Sequence, residues 1–328
     1  MHRWAISVTK VGMKVLLANP RGFCAGVDRA VQALQHAIDT YGPPVYVRHE
    51  IIHNKPVVED FIRQGVIFID DAEEIPVGSV ALFSAHGVPQ RVFDTADKNK
   101  LNAIDATCPL VTKVHNEAKR YSAKGYHILL IGHKGHIEVE GTMGHAPTES
   151  VTLVDGLEQA KTVHPPETDQ LVILTQTTLS VDETTEMMDI LKARFPHVVT
   201  PKVQDICYAT QNRQDAVKEI APQVDAMIVV GSKTSSNSNR LRETALEYGC
   251  PKAFLVDGAE DLTEDMLEGV KTIGITGGAS APEPLIQGVI NYLKPTEIQE
   301  ITVREETLNF QPPKAIRTQV TIEKPAVS

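Results

Sequence analysis

Three of the four cysteines in this 328-residue chain stand where a strand-like run gives way to a helical pattern. They are Cys24 in GFCAGVDRAVQAL, Cys108 in ATCPLVTKVHNEA and Cys207 in ICYATQNRQDAVKEI. Each is predicted to precede a helix, where the helix dipole favours a thiolate. Because a lone cysteine is often only a buried apolar residue, the recurrence at three equivalent turns is the informative feature. It predicts one metal site built from distant parts of the chain.

The spacing of these cysteines bears on which metal group they bind. Zinc sites usually draw ligands from short local pairs, whereas these cysteines are 84 and 99 residues apart. A cubane iron–sulfur cluster normally takes four thiolates, so three would leave one iron with an open coordination position. An open position on a metal is typical of chemistry on a bound substrate. The spacing favours the cluster and leaves zinc as the alternative.

Cys250, in YGCPKAFLVD, differs from the other three because it precedes a predicted strand instead of following one. It is therefore expected at the amino end of that strand, whereas the proposed site lies at carboxyl ends. A five-residue strand spans roughly 17 Å. We predict that Cys250 is not a metal ligand.

Strand-like runs alternate with helical patterns along the whole chain, which is typical of parallel βαβ units. If the strand before each cysteine is counted as the first, each cysteine is followed by a helix and then by a second, a third and a fourth strand. The second strands are predicted at Val45–Val47, His127–Ile131 and Ala226–Val230, the third at Val66–Asp70, Val151–Asp155 and Ala253–Asp257, and the fourth end near His86, Thr177 and Ser280. We predict an α/β fold of three pseudo-equivalent lobes with parallel sheets around a central site. The lobes are expected to span residues 26–108, residues 109–203, and residues 1–25 with 204–328.

Polar residues follow the second and fourth predicted strands of each repeat. Ligands of open α/β sheets bind at the carboxyl ends of the strands. Neutral or switchable donors near helix starts suit a phosphate or diphosphate. The candidate donors are His53, His86, His136, Ser235, Ser236, Asn237 and Ser280.

A carboxylate in a closed pocket could deliver the proton that a leaving oxygen requires. The stretch GHKGHIEVEG offers two, Glu138 and Glu140, and periodicity does not choose between them. The run TQTTLS adds Thr175, Thr177 and Thr178, which could hold a substrate hydroxyl or a water, or could simply cap the next helix.

Composition excludes several classes of protein. The net charge is −10 with no basic stripe, which argues against nucleic-acid binding. No apolar run approaches the ~20 residues of a membrane span, and Met1–Gly12 lacks the apolar core of a secretory signal. We expect a cytoplasmic protein in which Met1–Gly12 is an extension or translation starts at Met13. The segment from Phe310 to Ser328 is expected to be a surface tail.

At these residues the sequence resembles the 4-hydroxy-3-methylbut-2-enyl diphosphate reductase family, which completes the non-mevalonate isoprenoid pathway. The resemblance covers about Lys14 to Pro313. Its motifs, in order, include NPRGFCAGVDRA, HEIIHN, SAHGV, DATCPLVTKVH, GHKGHIEVEGTMGH, TQTTLS, CYATQNRQ, GSKTSSNSNRLRE and GASAPE.

The resemblance implies a three-lobed α/β enzyme around one [4Fe–4S] cluster per subunit, with the substrate hydroxyl on its open iron. It implies ferredoxin or flavodoxin as electron donor, a monomer or weak dimer, and isopentenyl and dimethylallyl diphosphate as products. It assigns the cluster to Cys24, Cys108 and Cys207, the diphosphate to His53, His86, His136, Ser235, Ser236, Asn237 and Ser280, proton relay to Glu138, and the substrate hydroxyl to Thr177.

Two positions depart from the family's pattern. Ile137 stands where many members have proline, which could shift the neighbouring carboxylate, and Gly277-Gly278 replaces an expected pairing of glycine with alanine. Two other functions stay open on the residues alone. One is a zinc- or cluster-dependent dehydratase of a phosphorylated substrate, and the other is a redox sensor or electron carrier without enzymatic activity.

Overall fold

The computed structural model describes residues 12–317. The proposed extension or alternative start before Met13 therefore falls almost wholly outside the described residues. The same is true of the tail beyond residue 317.

Twelve strands are present among residues 12–317, and every pairing between neighbours in a sheet is parallel. They are β1 (Lys14–Asn19), β2 (Val45–Arg48), β3 (Val66–Ile69), β4 (Val80–Phe83), β5 (Asn102–Asp105), β6 (His127–Ile131), β7 (Val151–Val154), β8 (Leu171–Thr175), β9 (Ala226–Val230), β10 (Ala253–Val256), β11 (Thr272–Gly277) and β12 (Glu297–Thr302). They form three sheets with the orders β3-β2-β4-β5, β7-β6-β8 and β10-β9-β11-β1-β12.

The three sheets share one internal order, which confirms the predicted repeat. In each, the first strand after the cysteine helix is central, and it is flanked by the next two strands of the same repeat, as in β3-β2-β4, β7-β6-β8 and β10-β9-β11. The predicted α/β class with three parallel sheets is therefore correct.

Eleven α-helices connect the strands in the described part of the chain. They are α1 (Ala25–Tyr41), α2 (Lys55–Arg63), α3 (Gln90–Lys98), α4 (Pro109–Ser122), α5 (Ile137–Met143), α6 (Leu157–Thr162), α7 (Val181–Arg194), α8 (Tyr208–Ile220), α9 (Ser236–Glu247), α10 (Glu264–Leu267) and α11 (Glu283–Leu293). As predicted, α1, α4 and α8 each begin directly after a cysteine.

The segment before Cys207 differs from the prediction, because no strand precedes this cysteine. The backbone forms only an isolated parallel bridge between Val199 and Val172. Residues 204–207 then run irregularly to the start of α8. This segment joins the edge of the β7-β6-β8 sheet by a single residue pair, which is too short to count as a strand.

Three strands are buried along their whole length because they read as continuous apolar runs, as strands covered by helices on both faces do. Every residue of β6, β8 and β9 is buried. Removing a valine, leucine or isoleucine side chain from water stabilises the fold by roughly 1.5–3 kcal/mol. Such strands form a rigid base for the loops at their carboxyl ends.

The described residues divide into two compact units. Residues 12–23 and 212–306 carry the sheet β10-β9-β11-β1-β12, and we call them the five-stranded unit. Residues 24–211 and 307–317 carry the other two sheets, and we call them the two-sheet unit. The lobe boundaries proposed from the sequence stay a prediction. No helix in the described part of the chain is both long and apolar enough to span a membrane.

The described start of the tail is better packed than a surface tail would be. A single 3₁₀ turn spans Lys314–Ile316, and Ile316 is buried. The turn packs on β5, and the Arg29 Nε–H donates a 2.8 Å hydrogen bond to the Gln311 carbonyl. An apolar anchor and a backbone contact therefore fix residues that the sequence pattern left without structure.

Candidate active site

Three thiols of the two-sheet unit lie near one another. Cys24 and Cys108 are the N-caps of α1 and α4, and Cys207 directly precedes α8. Burial, reinforced by the neighbouring Cys24, raises the pKa of Cys108 to about 12 and that of Cys207 to about 11. A bound cation would reverse this shift, because a coordinating thiol is deprotonated.

Gly26 provides the space in which two of these thiols approach each other. A Cβ atom built on Gly26 would lie 2.5 Å from the Cys108 Sγ and 3.9 Å from the Cys24 Sγ. Any other residue at this position would push the Cys108 side chain away. The first turn of α1 is therefore shaped to accept sulfur atoms.

Hydrogen bonds hold the backbone around Cys108 and Cys207. The Cys108 N–H donates to the Ala85 carbonyl at 3.0 Å, and the Cys207 N–H donates to the Thr177 carbonyl at 3.1 Å. The Thr210 N–H donates to the Cys207 Sγ at 3.4 Å. Hydrogen-bond donors that point at sulfur favour the thiolate and help to set the reduction potential of iron–sulfur sites. Among residues 12–317, no group of three His, Cys, Asp or Glu side chains could hold a single metal ion.

Cys250 belongs to the five-stranded unit and has apolar surroundings. It is buried in a cluster with Leu241, Ala245 and Met227, and its Sγ–H donates to the Lys252 carbonyl at 3.0 Å. Burial raises the pKa of this thiol as well. These surroundings are those of a structural cysteine, and its exclusion from the metal ligands stays a prediction.

The two-sheet unit also brings together the three histidines that the sequence separates. The ring centroids of His53 and His86 are 4.0 Å apart and the rings are stacked. His136 lies 5.5 Å from His53 and 6.4 Å from His86, with its ring edge-on to both. The three loops therefore form one imidazole cluster, as expected for a shared ligand.

The imidazoles are oriented by their neighbours. His53 Nδ1 is 2.9 Å from the Glu50 carboxylate, and His136 Nδ1 accepts the Glu138 N–H at 3.2 Å. Burial lowers the pKa of His136 to about 3 and that of His86 well below its ordinary value, with the neighbouring histidines adding to both effects. The His136 Nε2 is buried without a hydrogen-bond partner. A proton on that nitrogen would be available to a ligand oxygen.

Glu138 is the buried carboxyl of the site. It lies in the first turn of α5 with 2% of its surface exposed, and its Oε1 accepts the Thr177 N–H at 2.6 Å. Burial raises its pKa to about 7 against the opposing effect of that hydrogen bond. A carboxyl with this pKa can both hold and release a proton near neutral pH.

Glu140 faces different partners, although it is only two residues further along α5. Its Oε1 accepts hydrogen bonds from Arg48 at 3.1 Å and Arg91 at 2.8 Å, and its side chain is 43% exposed. Both arginines belong to the part of the chain that forms the β3-β2-β4-β5 sheet. Glu140 therefore joins α5 to that part of the unit, and Glu138 alone has the surroundings of a proton donor.

Asp205 fixes the backbone just before Thr177 through a hydrogen bond. One oxygen of this buried carboxylate accepts the Thr175 N–H at 3.0 Å, and the other accepts the Lys113 ammonium at 2.8 Å. Thr175 itself donates its hydroxyl to the Gln176 carbonyl. Within the TQTT run, Thr175 thus contacts Asp205, and Thr177 contacts Glu138.

The remaining predicted residues lie in the five-stranded unit, with Ser235, Ser236 and Asn237 at the start of α9 and Ser280 in the loop after β11. Ser235 is the N-cap, and its Oγ accepts the Ser238 N–H at 3.3 Å and lies 3.4 Å from the Ser280 Oγ. Both polar atoms of the Asn237 amide are buried without a partner. Ser236 is the first helical residue. Hydroxyls, an amide and a helix N-terminus form an anion-binding composition.

Four residues that shape the site were not predicted from the sequence: Gly26, Glu50, Asp205 and Thr210. Each stands within three residues of a residue that was singled out. Closeness in sequence to a predicted site residue could therefore have indicated them. It does not show which neighbouring side chains point toward the site.

The two departures from the family's pattern have small local effects. Ile137 is the first residue of α5, and the helix forms with Glu138 buried. A Cβ atom built on Gly278 would overlap the Ser238 side chain and lie 3.4 Å from the Asn237 amide nitrogen. The second glycine of this pair is therefore required by the close packing of the α9 start.

Comparisons with known proteins agree with these features. The family described as LytB protein matches residues 15–294. The chain is 52% identical to the 4-hydroxy-3-methylbut-2-enyl diphosphate reductase of Mycolicibacterium paratuberculosis, over 96% of this chain and 95% of that protein. It is 54% identical to the protein of the same name from Nocardia farcinica, over 93% and 91%.

Solved structures resemble the fold as well. The E-1-hydroxy-2-methyl-but-2-enyl-4-diphosphate reductase of Plasmodium falciparum matches with a TM-score of 0.90 and 36% identity, over 94% of this chain and 98% of that one. A second structure is described as (E)-4-hydroxy-3-methyl-but-2-enyl diphosphate reductase, the terminal enzyme of the non-mevalonate pathway. It matches with a TM-score of 0.61 and 32% identity, over 86% and 99%. The resemblance seen in the motifs is confirmed, and the chain belongs to the LytB family of 4-hydroxy-3-methylbut-2-enyl diphosphate reductases.

Proposed function

We propose that the chain reduces (E)-4-hydroxy-3-methylbut-2-enyl diphosphate to isopentenyl and dimethylallyl diphosphate, with loss of the hydroxyl as water. The observation that carries this proposal is the buried Glu138 carboxyl, hydrogen-bonded to the Thr177 N–H in the same unit as three neighbouring thiols. Family membership supplies the substrate and the reaction.

The residues fit one [4Fe–4S] cluster on Cys24, Cys108 and Cys207. Support comes from the space that Gly26 leaves beside two sulfurs and from the N–H of Thr210 aimed at the third. When bound, a cluster with three protein thiolates supplies electrons and one open iron position for the substrate hydroxyl.

Glu138 holds the proton that lets the hydroxyl leave as water. Its pKa of about 7 keeps a large protonated fraction at neutral pH. The Thr177 N–H fixes one carboxyl oxygen, and the Thr177 side chain hydrogen-bonds the same carboxyl. We assign the Thr177 side chain to the substrate hydroxyl.

The diphosphate is assigned to His53, His86, His136, Ser235, Ser236, Asn237 and Ser280. Imidazoles suit this task because each can donate an N–H to a phosphate oxygen while its other nitrogen makes a second contact. In the five-stranded unit, the unpartnered Asn237 amide and the α9 N-terminus supply further donors.

Two one-electron transfers from ferredoxin or flavodoxin complete the reaction. We further propose a cytoplasmic enzyme that is a monomer or weak dimer and has neither nucleic-acid nor membrane partners. The net charge of −10 supports the exclusion of nucleic acid.

The test is an anaerobic measurement of iron, sulfide and visible absorption for the wild type and for Cys24→Ser, Cys108→Ser, Cys207→Ser and Cys250→Ser. About four irons are expected per chain, with the chromophore lost in the first three variants and kept in Cys250→Ser. Turnover of the allylic diphosphate must then depend on a reductant. Bound zinc or loss of the cluster in Cys250→Ser would reject the cluster assignment, and turnover without reductant would identify a dehydratase.

A further inference from the structure

We propose that a basic cleft of the two-sheet unit is the docking face for an acidic protein that donates single electrons, and that electrons enter on the Cys108 side of the site. The cleft has a volume of about 840 Å³. Its cationic residues are Arg29, Lys113, Arg120, Lys314 and Arg317. The inference rests on the proposed function, since only a reductase requires such a donor.

The charge of the cleft is opposite to that of the chain. Five cationic and two acidic side chains line it, whereas the whole chain has a net charge of −10. Of the two acidic residues, Asp105 accepts the Thr107 N–H and hydroxyl, and Glu117 lies 3.8 Å from the Lys113 Nζ and 3.9 Å from the Arg120 Nη2, so the cations remain in excess. Burial, with the nearby Asp205 adding to it, raises the pKa of Glu117 above its ordinary value. A local positive field in an acidic protein selects acidic partners and speeds their association.

The position of the cleft suits electron delivery. Thr107 and Pro109, which flank Cys108 in sequence, both line it. The Arg29 Nη1–H donates a 3.0 Å hydrogen bond to the Thr107 carbonyl. An electron-donor protein bound in this cleft would contact the segment that carries Cys108, and electron transfer requires such close approach.

The contacts of the cations favour a protein over a small anion. Arg29 donates hydrogen bonds to the Thr107 and Gln311 carbonyls, and Lys113 donates to two carbonyls and to Asp205. Carbonyl acceptors do not cancel the Arg29 charge, but they occupy its donors. Arg120 and Lys314 are exposed instead. The cleft thus offers a positive field and an exposed cationic rim, while the inner cations Arg29 and Lys113 already donate to groups of the chain.

Each docking event would oxidise the donor by one electron and reduce the site by one. Two events supply the two electrons that the reduction consumes; the C–O bond breaks, one proton leaves with the hydroxyl as water, and a second proton forms the new C–H bond. The protons come through Glu138 and solvent, so the cleft transfers no proton and binds no substrate. Substitutions on its rim should therefore affect the donor alone.

The test compares Arg120→Glu/Lys314→Glu with the matched pair Lys98→Glu/Lys192→Glu, which makes the same charge change at exposed lysines outside the cleft. The cluster-loaded protein is titrated anaerobically with an acidic [4Fe–4S] ferredoxin, and the Kd is measured by calorimetry. We expect the cleft pair to raise the Kd by about tenfold or more and the control pair by less than about threefold. Wild-type binding should weaken as salt rises from about 0.01 to 0.15 M.

Turnover is measured in parallel with reduced ferredoxin and with reduced methyl viologen, a small cation that needs no basic face. The cleft pair should lose ferredoxin-driven kcat/KM and keep viologen-driven kcat. Equal Kd values for the two pairs would overturn the docking face, as would inorganic diphosphate binding that the cleft pair abolishes. A wild type that binds ferredoxin but never turns over substrate with viologen would instead reject the proposed function.

Discussion

The two units present polar groups of different kinds at the ends of similarly ordered strands. The two-sheet unit contributes groups that titrate: three thiols, three imidazoles and the Glu138 carboxyl, most of them with pKa values shifted by burial. The five-stranded unit contributes groups that do not titrate between pH 5 and 9, namely Ser235, Ser236, Asn237 and Ser280.

The two units are therefore suited to different parts of the reaction. Groups with shifted pKa values are suited to moving protons and binding metal, because small changes in their surroundings alter their charge. Hydroxyls and amides bind an anion equally well over a wide pH range. We therefore expect proton and electron chemistry to depend on the two-sheet unit, and the five-stranded unit to affect only affinity.

The largest expected effect is that of Glu138→Gln. It should lower turnover by about 10²–10⁴-fold, since the amide cannot deliver a proton, while the Kd for the substrate changes little. Ser235→Ala in the other unit should raise KM and leave kcat within a few-fold. Single-turnover kinetics and equilibrium binding separate these effects. A Glu138→Gln variant with full activity would remove Glu138 from the mechanism and, with it, this difference between the two units.

The next comparison uses one glycine from each unit. Gly26→Ala places a methyl group against the Cys108 sulfur, so the purified protein should contain much less iron and sulfide. Gly278→Ala crowds Ser238 beside Asn237, so it should keep iron and lose substrate affinity. Iron analysis and visible absorption after anaerobic loading distinguish the two. Normal iron content in Gly26→Ala would contradict the thiol geometry.

The pH dependence of kcat sharpens the same contrast. Burial raises the pKa of Glu138 to about 7, so the carboxyl holds its proton below this pH and loses it above. We expect kcat to fall by up to about tenfold per pH unit above pH 7. Ser235→Ala should keep this profile, and the residual activity of Glu138→Gln should lack it. A wild-type kcat that is flat from pH 6 to 9 would argue against Glu138 as the acid.

The smallest effect is expected for Glu140→Gln. Its carboxylate accepts from Arg48, which is buried, and from exposed Arg91. An amide keeps one acceptor oxygen but removes the charge, so the free energy of unfolding should fall by about 1 kcal/mol. Denaturant unfolding measures the loss, and turnover should stay within a few-fold. A loss of turnover as large as that of Glu138→Gln would mean that the two glutamates are not functionally distinct.

Much of the fold could be predicted, because strand order follows from a repeated pattern of apolar runs and turns. The core strands β6 and β9 match their predicted bounds. The strand expected before Cys207 was wrong, because only Val199 pairs with the neighbouring sheet. Edge segments are hard to predict, since a short apolar run reads the same whether or not a partner strand lies beside it.

The sequence by itself determined the parallel α/β class, the threefold repeat and the placement of the cysteines at helix starts, because these depend on local periodicity and on residue type. Only the tertiary structure decided that Glu138 is buried against Thr177 while Glu140 meets two arginines. Both glutamates lie on one short helix, and their difference arises from which neighbours pack against each face. Burial and partner identity set the pKa of a carboxyl, and neither is encoded in the spacing of residues along the chain.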